Sequence, residues 1–544
     1  MPDVLTTAQR SYNMSCVRSE KTGPEIRLRD ILTSNGLTNF KMQAKEIPGC
    51  PDFYFPSRKA ALFVDGCFWH GCKKCFQMPD TNKKFWALKI KTNIARDRTV
   101  NKLLTDKGIT AIRIKEHELK DPHRVLNKIE REFKKVATPK VLDLFAGAGG
   151  LSEGFVRAGC EIVGHIEMDR NACETLITRT LYHALVRRGK LNEYKKYIFG
   201  KTTRDGLIEK YKLQKEKNSV MCAKIGEDNY KKLIREVKKR LNRKKLDIII
   251  GGPPCQAYSY IGRARDDKNM RHDKRNFLYR YYVEFLKTLK PKIFVFENVP
   301  GLETAGKGKY LRDMQKLMKS AGYDTDYKIL NAVDFGVPQN RKRIILIGWN
   351  KKSKLKSYPD FPSVKRTYLV KDFFVGLPKI KAGIKYPIKK LKGNVLLEKL
   401  GIFDPKFGIL MDHAARPNTK QDLEIYRHAV LEKQKGKNIK YNLLPKHLKT
   451  HNNENVFLDR FKVINITNKG SHTIVAHIAK DGHFYIHPDI KQNRSLTVRE
   501  AARLQTFPDS YKFEGERGPQ FRQIGNAVPP MFAEIVASTI LRNI

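Results

Sequence analysis

Residues 248–259 read IIIGGPPCQAYS and place a thiol, Cys255, directly behind a Gly-Gly-Pro-Pro stop. Three branched apolar residues predict the end of a buried strand, which the glycines and prolines terminate. The carboxyl end of a strand is where open α/β sheets collect their ligands. Most free cysteines are core residues. Here Pro254 fixes the backbone just before the thiol, and polar Gln256 and Ser259 follow it. That setting suits a presented nucleophile. Residues 292–299, KIFVFENV, predict a second buried strand closing on Glu297, and a carboxylate there needs a partner or a task. Arg341 and Arg343, in QNRKR, precede a third strand, IILIG.

A second group of reactive side chains stands near the N-terminus. Asp52 follows Pro51 at the start of an apolar run, and residues 60–64, AALFV, lead into DGCFWHGCKKC. The thiols of Cys67, Cys72 and Cys75 are spaced C-x4-C-x2-C. With one histidine they make the donor set of a tetrahedral structural zinc site, and both His70 and His117 are available. An acid after proline on one strand, with a polar residue ending the next, is also the skeleton of PD-(D/E)xK-type nucleases. Such sites gather carboxylate and carbonyl oxygens around Mg²⁺, so that bound water becomes a nucleophile.

The elements that must hold these groups follow from patterning. A helix over 25–34 and strands at 50–55, 60–64 and 109–114 make a first α/β unit. The basic stretch 133–140, FKKVATPK, marks a joint. Residues 141–150, VLDLFAGAGG, run from strand into glycine-rich turn, with a helix over 151–158. A strand over 161–169 ends in acids roughly twenty residues on, a spacing that lets a carboxylate there take the ribose hydroxyls of an adenosyl cofactor. Residues 178–245 are Lys-rich and predict a mostly helical insert with a solvated face. Residues 349–493 are polar, basic and rich in His and Asn, with Arg, Asn and Lys able either to read base edges or to form a solvated surface. Residues 495–509 predict a helix, and 523–530, QIGNAVPP, a tight turn into the last one.

Length and charge bound the function. A chain of 544 residues calls for two to four domains. Its 107 Lys and Arg against 56 Asp and Glu give +51, which points to a polyanion, most simply nucleic acid. No apolar run of about eighteen residues and no signal core argue against a membrane or secreted protein. Nine cysteines, odd in number and partly clustered, indicate metal in a reducing compartment rather than a disulfide framework. The expected setting is the cytoplasm of a prokaryote, as a monomer held to the nucleoid through double-stranded DNA.

Two resemblances sharpen this reading. The RSYNM stretch at 10–14, PGCPDF, VDGCFWHGC and IKEHEL resemble the very short patch repair (Vsr) endonucleases over residues 8–134. The resemblance implies a PD-(D/E)xK-like nuclease domain with structural zinc that nicks beside the thymine of a T:G mismatch. Asp52 and the main-chain carbonyl of Val64 would bind Mg²⁺, His70 would be the general base, and Glu25 would hold metal-bound water. Asp65 stands where well-known members carry a histidine of the catalytic centre. Zinc would fall to Cys67, Cys72, Cys75 and His117, with two positions exchanging Cys and His relative to the family. Phe68, Trp69 and Trp86 would be the aromatic wedge that unstacks the weakened pair.

From residue 140 to 544 the chain carries, in order, DLFAGAGG, IEMD, GGPPCQAYS, FENV, QNRKR, SLTVREAARLQTFPD and QIGNAVPP. This set resembles the C5 cytosine-specific DNA methyltransferases. It implies a Rossmann-like domain that uses S-adenosyl-L-methionine and carries an inserted target-recognition domain, acting on a flipped cytosine. Cys255 would add to C6 and make C5 enamine-like, its thiol favoured by nearby cations. Glu297 would hydrogen-bond N3 and the exocyclic amine. Arg343 would hold O2, and Arg341 would orient the catalytic strand. Phe145, Gly147, Gly149, Gly150 and Leu151 would pack the methionine part of the cofactor. Glu167 would take the ribose and Met168 the adenine, with Pro254, Asn526 and Val528 completing the pocket. The family's aspartate for the adenine amine is not evident; residues 225–228 are the candidate.

The expected organisation is a nuclease domain at 1–135, a catalytic domain at 136–348, a target-recognition domain at 349–493 and a return to the catalytic domain at 494–544. The expected function is bifunctional: C5 methylation, and nicking of the T:G mismatches that deamination of 5-methylcytosine creates, with mismatch- or excision-repair proteins following. Two alternatives stand beside it. One is a single-chain restriction–modification enzyme that cuts unmethylated sites; the other is a methyltransferase with an inactive zinc-stabilised DNA-binding module.

Overall fold

The computed structural model describes residues 9, 22–35, 37, 40–135, 138–253, 277–449, 453–454 and 458–543. Pro254, Cys255, Gln256, Ser259 and the RSYNM stretch lie outside the described residues. The chain divides into two compact units, Met1–Thr138 with Val186–Gly189, and Pro139–Leu185 with Lys190–Ile544.

The first unit runs α1 (Gly23–Ser34), β1 (Lys41–Met42), β2 (Phe53–Phe55), β3 (Ala60–Asp65), α2 (Lys83–Asp106), β4 (Thr110–Lys115) and α3 (Pro122–Lys135). Its sheet has the order β1-β2-β3-β4. The β1–β2 and β2–β3 pairs are antiparallel, and β3–β4 is parallel. A parallel pair needs a long crossover, which α2 supplies. Thr22 caps α1 through the N–H of Glu25, with proline in the first turn. Leu28, Phe53, Leu62, Ile112, Ile114, Val125 and Ile129 form the core. His117 lies on a 3₁₀ turn, Glu116–Lys120, rather than at the strand's end. The Glu118 carboxylate accepts the N–H of Lys115 at 2.8 Å and turns the chain there.

The second unit is built on seven strands. In chain order come β5 (Lys140–Leu144), α4 (Gly150–Arg157), β6 (Glu161–Glu167), α5 (Arg170–Arg187), β7 (Val220–Cys222), α6 (Tyr230–Leu241) and β8 (Ile248–Gly251). Then follow α7 (Leu278–Leu289), β9 (Ile293–Asn298), α8 (Lys309–Ser320), β10 (Asp324–Asn331) and β11 (Lys342–Trp349). The sheet order is β10-β11-β9-β8-β5-β6-β7. Strand β11 is antiparallel to both neighbours, and the others are parallel. From β5 the chain winds outward to β6 and β7, then returns to the other side of β5 for β8 and β9. The order therefore reverses between β5 and β8, the place where such sheets bind ligands. Ile249, Phe294 and Phe296 face α7 and α8, while the alternate residues Ile248, Ile250 and Val295 face α4 and the last helix. Burial on both faces explains the unbroken apolar runs.

The Lys-rich segment is not a solvated insert throughout. It contributes β7 to the sheet, and α6 buries Leu233, Ile234, Val237 and Leu241 in the core. A three-residue strand among lysines carries no readable period. Short helices at Leu191–Ile198, Arg204–Lys210 and Gln214–Asn218 make the rest of it helical.

The later part of the chain holds a two-stranded sheet, β12 (Lys389–Lys390) and β13 (Ile409–Leu410), and α9 (Lys420–Gln434). It closes with α10 (Val498–Leu504), α11 (Arg517–Asn526) and α12 (Pro530–Leu541). Helix α10 is wholly buried, and its charges are paired: Arg494 holds Glu500 at 2.7 Å and Arg503 holds Asp509 at 2.8 Å. Residues 523–526, expected as a turn, finish α11, and the chain turns over residues 527–529. The segment Arg517–Leu541, which spans α11, this turn and α12, is apolar, and 72% of its apolar window is buried inside the protein.

Candidate functional site

At the reversal point β8 runs into two glycines. A Cβ on Gly251 would come within 2.2 Å of the Leu144 carbonyl oxygen, and one on Gly252 within 2.7 Å of Oε2 of Glu297. Only glycines let the chain pass between the ends of β5 and β9 here. Asn298 donates to the carbonyl of Pro253 at 3.3 Å and ties the turn to β9. Glu297 has the partner a buried acid requires: Nε of Arg343 on β11 lies 2.8 Å from its Oε1, with both side chains close to one-eighth exposed. Buried Arg341 donates to the carbonyls of Ile474 at 2.7 Å and Gly525 at 3.2 Å. Gln339 and Gln505 reinforce this joint, donating to the carbonyls of Leu504 and Ile524. Cys255 itself lies outside the described residues.

Beside this pair, the glycine turn between β5 and α4 is left-handed at Phe145, Gly147 and Gly149. Glu167 at the end of β6 braces it. The N–H of Gly147 donates to its Oε2 at 2.7 Å, and those of Met168 and Asp169 donate to its Oε1, both at 2.8 Å. A Cβ on Gly150 would stand 2.1 Å from the Val528 carbonyl oxygen, so this glycine brings α4 against the last motif. Leu151 and Val528 are buried, Asn526 is exposed, and Met168 is 58% exposed beside Glu167. A Cβ on Gly147 would meet nothing within 4 Å. A carboxylate fixed by main-chain donors, an exposed flexible apolar side chain and open space over a glycine fit an adenosyl cofactor. Beneath the turn lie buried Asp143 and His165, register partners on β5 and β6.

In the first unit, Gln43 bridges two acids, its amide 3.1 Å from both Glu25 Oε2 and Asp52 Oδ1. Asp52 Oδ2 accepts the N–H of Val64 at 2.7 Å. Burial, with the Glu25 charge adding to it, pushes the Asp52 carboxyl up to about 6. Two such acids side by side fit a divalent cation, whose charge would offset both. His70 Nδ1 lies 2.6 Å from Asp97 Oδ2. Arg113 clamps this group, reaching Asp97 at 3.0 Å and Asp65 at 2.7 Å. The donor atoms of Cys67, Cys72, Cys75 and His117 all lie within 4.8 Å of one another, with His117 Nδ1 3.2 Å from Cys67 Sγ. This set fits tetrahedral zinc and leaves His70 outside it. Phe68 packs edge-on against Trp69 and Trp86, ring centres 5.3 and 5.0 Å apart, and all three rings are partly exposed.

Asp97, Arg113, Gln43 and Asn298 were not among the expected site residues. Each acts across the sequence, 27 residues for Asp97 to His70 and 45 for Asn298 to Pro253; Asp97, Arg113 and Gln43 also sit in locally ordinary stretches, while Asn298 lies within the FENV motif.

The family model for C-5 cytosine-specific DNA methylase matches residues 139–208 and 206–542, and that for the DNA mismatch endonuclease Vsr matches residues 2–77. The type II methyltransferase M.Bpa9945I of Bacillus paralicheniformis is 40% identical over 438 residues, covering 74% of this chain and 98% of the relative. M1.HphI of Haemophilus parahaemolyticus, also a type II methyltransferase, is 30% identical over 401 residues, covering 74% and 86%. A prophage-encoded E. coli structure described as a DNA modification methyltransferase superposes with a TM-score of 0.50 at 25% identity, covering 74% and 98%. The doubly wound sheet with its cofactor-type turn defines a methyltransferase of the Rossmann-like class. The chain belongs to the C-5 cytosine-specific DNA methylases, and it carries a Vsr-family domain at its N-terminus.

Proposed function

We propose that this chain is a two-activity DNA enzyme. Its second unit methylates cytosine C5 within a specific duplex sequence, and its first unit nicks the T:G mismatch that deamination of the methylated base leaves behind. The Glu297–Arg343 pair, on β9 and β11 beside the sheet's reversal point, carries the first activity. The carboxylate is held to meet N3 and the amine of a flipped cytosine, where charge develops as the ring is activated. Arg343, already at that carboxylate, is placed to take O2. Cys255, two residues beyond Pro253 in sequence, adds to C6; the bond to C6 forms as the C5–C6 double bond opens toward C5. Once C5 carries the methyl group, its proton passes to a water, the C5–C6 double bond re-forms and the C6–S bond breaks, returning the Cys255 thiolate. S-adenosyl-L-methionine supplies the methyl group when bound, with Glu167, Met168 and the residues 145–151 turn as its holders and Pro254, Asn526 and Val528 completing the pocket.

For the nuclease, the support is the Glu25–Gln43–Asp52 bridge beside the His70–Asp97 pair. Asp52, with the carbonyl of Val64, would hold Mg²⁺, and Glu25 would hold its water. His70, oriented by Asp97, takes the proton of the attacking water. Phe68, Trp69 and Trp86 form the wedge, and Cys67, Cys72, Cys75 and His117 hold structural zinc. Tethering raises the nuclease's concentration at the sites the methyltransferase marks. Nicking of duplexes carrying T:G or C:G in the methylated site tests the reading, and a restriction enzyme would instead cut the fully paired one.

A further inference from the structure

Two thiols beside Glu167 take no part in the chemistry above. Cys222 ends β7, exposed, and stands directly across from Glu167 in the parallel register. Cys173, buried in the first turn of α5, donates to the main-chain carbonyl of Glu167 at 3.4 Å. Burial pushes the Cys173 thiol up, and its side-chain neighbour Cys222 adds to that. The same Glu167 carbonyl accepts the N–H of Ala223, the residue after Cys222, at 2.7 Å. The turn that carries Glu167 and Met168 is therefore flanked by a buried thiol on one element and an exposed thiol on another.

We propose that Cys173 and Cys222 are a redox-modification site at the adenosyl edge of the cofactor cleft, whose oxidation to a disulfide weakens S-adenosyl-L-methionine binding. The proposal rests on the reading of Glu167 as the residue that holds the cofactor's ribose. The oxidant is a peroxide. Hydrogen peroxide transfers an oxygen to the exposed Cys222 sulfur, giving the sulfenic acid and one water. The Cys173 sulfur then attacks the Cys222 sulfur; the S–S bond forms, the S–O bond breaks, and the hydroxyl leaves with the Cys173 proton as a second water. Two thiols lose two electrons and two protons, and the peroxide gains both. The disulfide removes the thiol hydrogen that Cys173 gives to Glu167. It also fixes the two Cβ atoms about 3.5–4.5 Å apart, locking the start of α5 to the end of β7 around the turn the cofactor must enter.

The test uses the full chain, first fully reduced, with S-adenosyl-L-methionine binding measured by calorimetry. Binding is the readout because Cys255 is a thiol as well. Hydrogen peroxide is then added and removed, binding is measured again, and peptides are mapped by mass. The expected result is a peptide pair joined through residues 173 and 222, lighter by two hydrogens. Binding should weaken by about tenfold or more, a loss of roughly 1.4 kcal/mol, and dithiothreitol should restore it. The Cys222→Ser and Cys173→Ala proteins should keep their reduced-state affinity after peroxide. Absence of the joined peptide, or its presence with unchanged affinity, overturns the proposal. A reduced wild-type chain that does not bind the cofactor overturns the reading of the site itself, before any oxidant is used.

Discussion

Nε of Arg343 lies 2.8 Å from Oε1 of Glu297, the acid on β9 answered by the base on β11. Glu297→Gln keeps the shape and removes the charge that should stabilise the activated cytosine. Methyl transfer should fall about 10²–10³-fold, the range seen when one such stabilising group is lost, with the melting temperature nearly unchanged. Arg343→Ala should also lower stability, because it leaves a partly buried carboxylate alone. Radiolabelled methyl incorporation and thermal unfolding on both proteins check this.

Gly252 makes a sharper steric prediction. A Cβ there would lie 2.7 Å from the Glu297 carboxylate and 2.8 Å from its main-chain oxygen. Gly252→Ala should displace Glu297 and depress methyl transfer at least about 10²-fold. Cofactor binding, which depends on the Phe145–Leu151 turn, should change little. Gly150→Ala should do the reverse, since its Cβ would meet the Val528 carbonyl at 2.1 Å. Calorimetry with S-adenosyl-L-methionine separates the two.

Stability of the methyltransferase unit should depend on pH through Asp143 and His165. Burial pushes the Asp143 carboxyl up to about 8 and the His165 imidazole down to about 3. The unfolded chain ionises Asp143 from its ordinary range upward, while the folded chain keeps the proton until about pH 8. Stability from this group is therefore lost as pH rises. His165 acts oppositely: its contribution is intact above pH 6.5 and is lost as pH falls toward 3. Between pH 6.5 and 8 only the first effect of the two operates, costing about 2 kcal/mol. Asp143→Asn should flatten that slope, as denaturant midpoints at both pH values would show.

How much of this was legible in sequence differs by residue. Runs such as IIIGG and IFVFEN announced central strands because burial on both faces leaves them no polar position. The glycine turn and Glu167 were legible because their spacing is local. The cluster of Cys67, Cys72, Cys75 and His117 was legible as three thiols with a histidine to spare, and the resemblance chose His117 over His70. Asp97 and Arg113 were not, because a charged residue on a charged helix or an outer strand reads as solvated until a partner many residues away is placed against it. Strand β7 was hidden for the same reason that it is short: three residues among lysines set no period. Gln43, a neutral amide between two acids, has meaning only in three dimensions.

Asp97 should act through His70, with Arg113 holding its second oxygen at 3.0 Å. Asp97→Asn removes the carboxylate 2.6 Å from Nδ1 and should lower T:G nicking about 10–10²-fold. Methyl transfer should be untouched.

Zinc should be held by the first unit alone. Cys72→Ser, or strong chelation, should release the metal and loosen the segment that carries Phe68 and Trp69, abolishing nicking while methylation continues. Metal analysis together with hydrogen exchange over residues 60–120 would show it.

The measurement closest to the central claim is nicking, in Mg²⁺, of two duplexes that differ only in one pair, C:G or T:G, inside the sequence this protein methylates, with Asp52→Ala as the control. A mismatch-nicking first unit leaves a nick in the T:G duplex alone, beside the thymine, and Asp52→Ala loses it while keeping DNA binding. Cleavage of the unmethylated C:G duplex, or no cleavage of either, would contradict that claim.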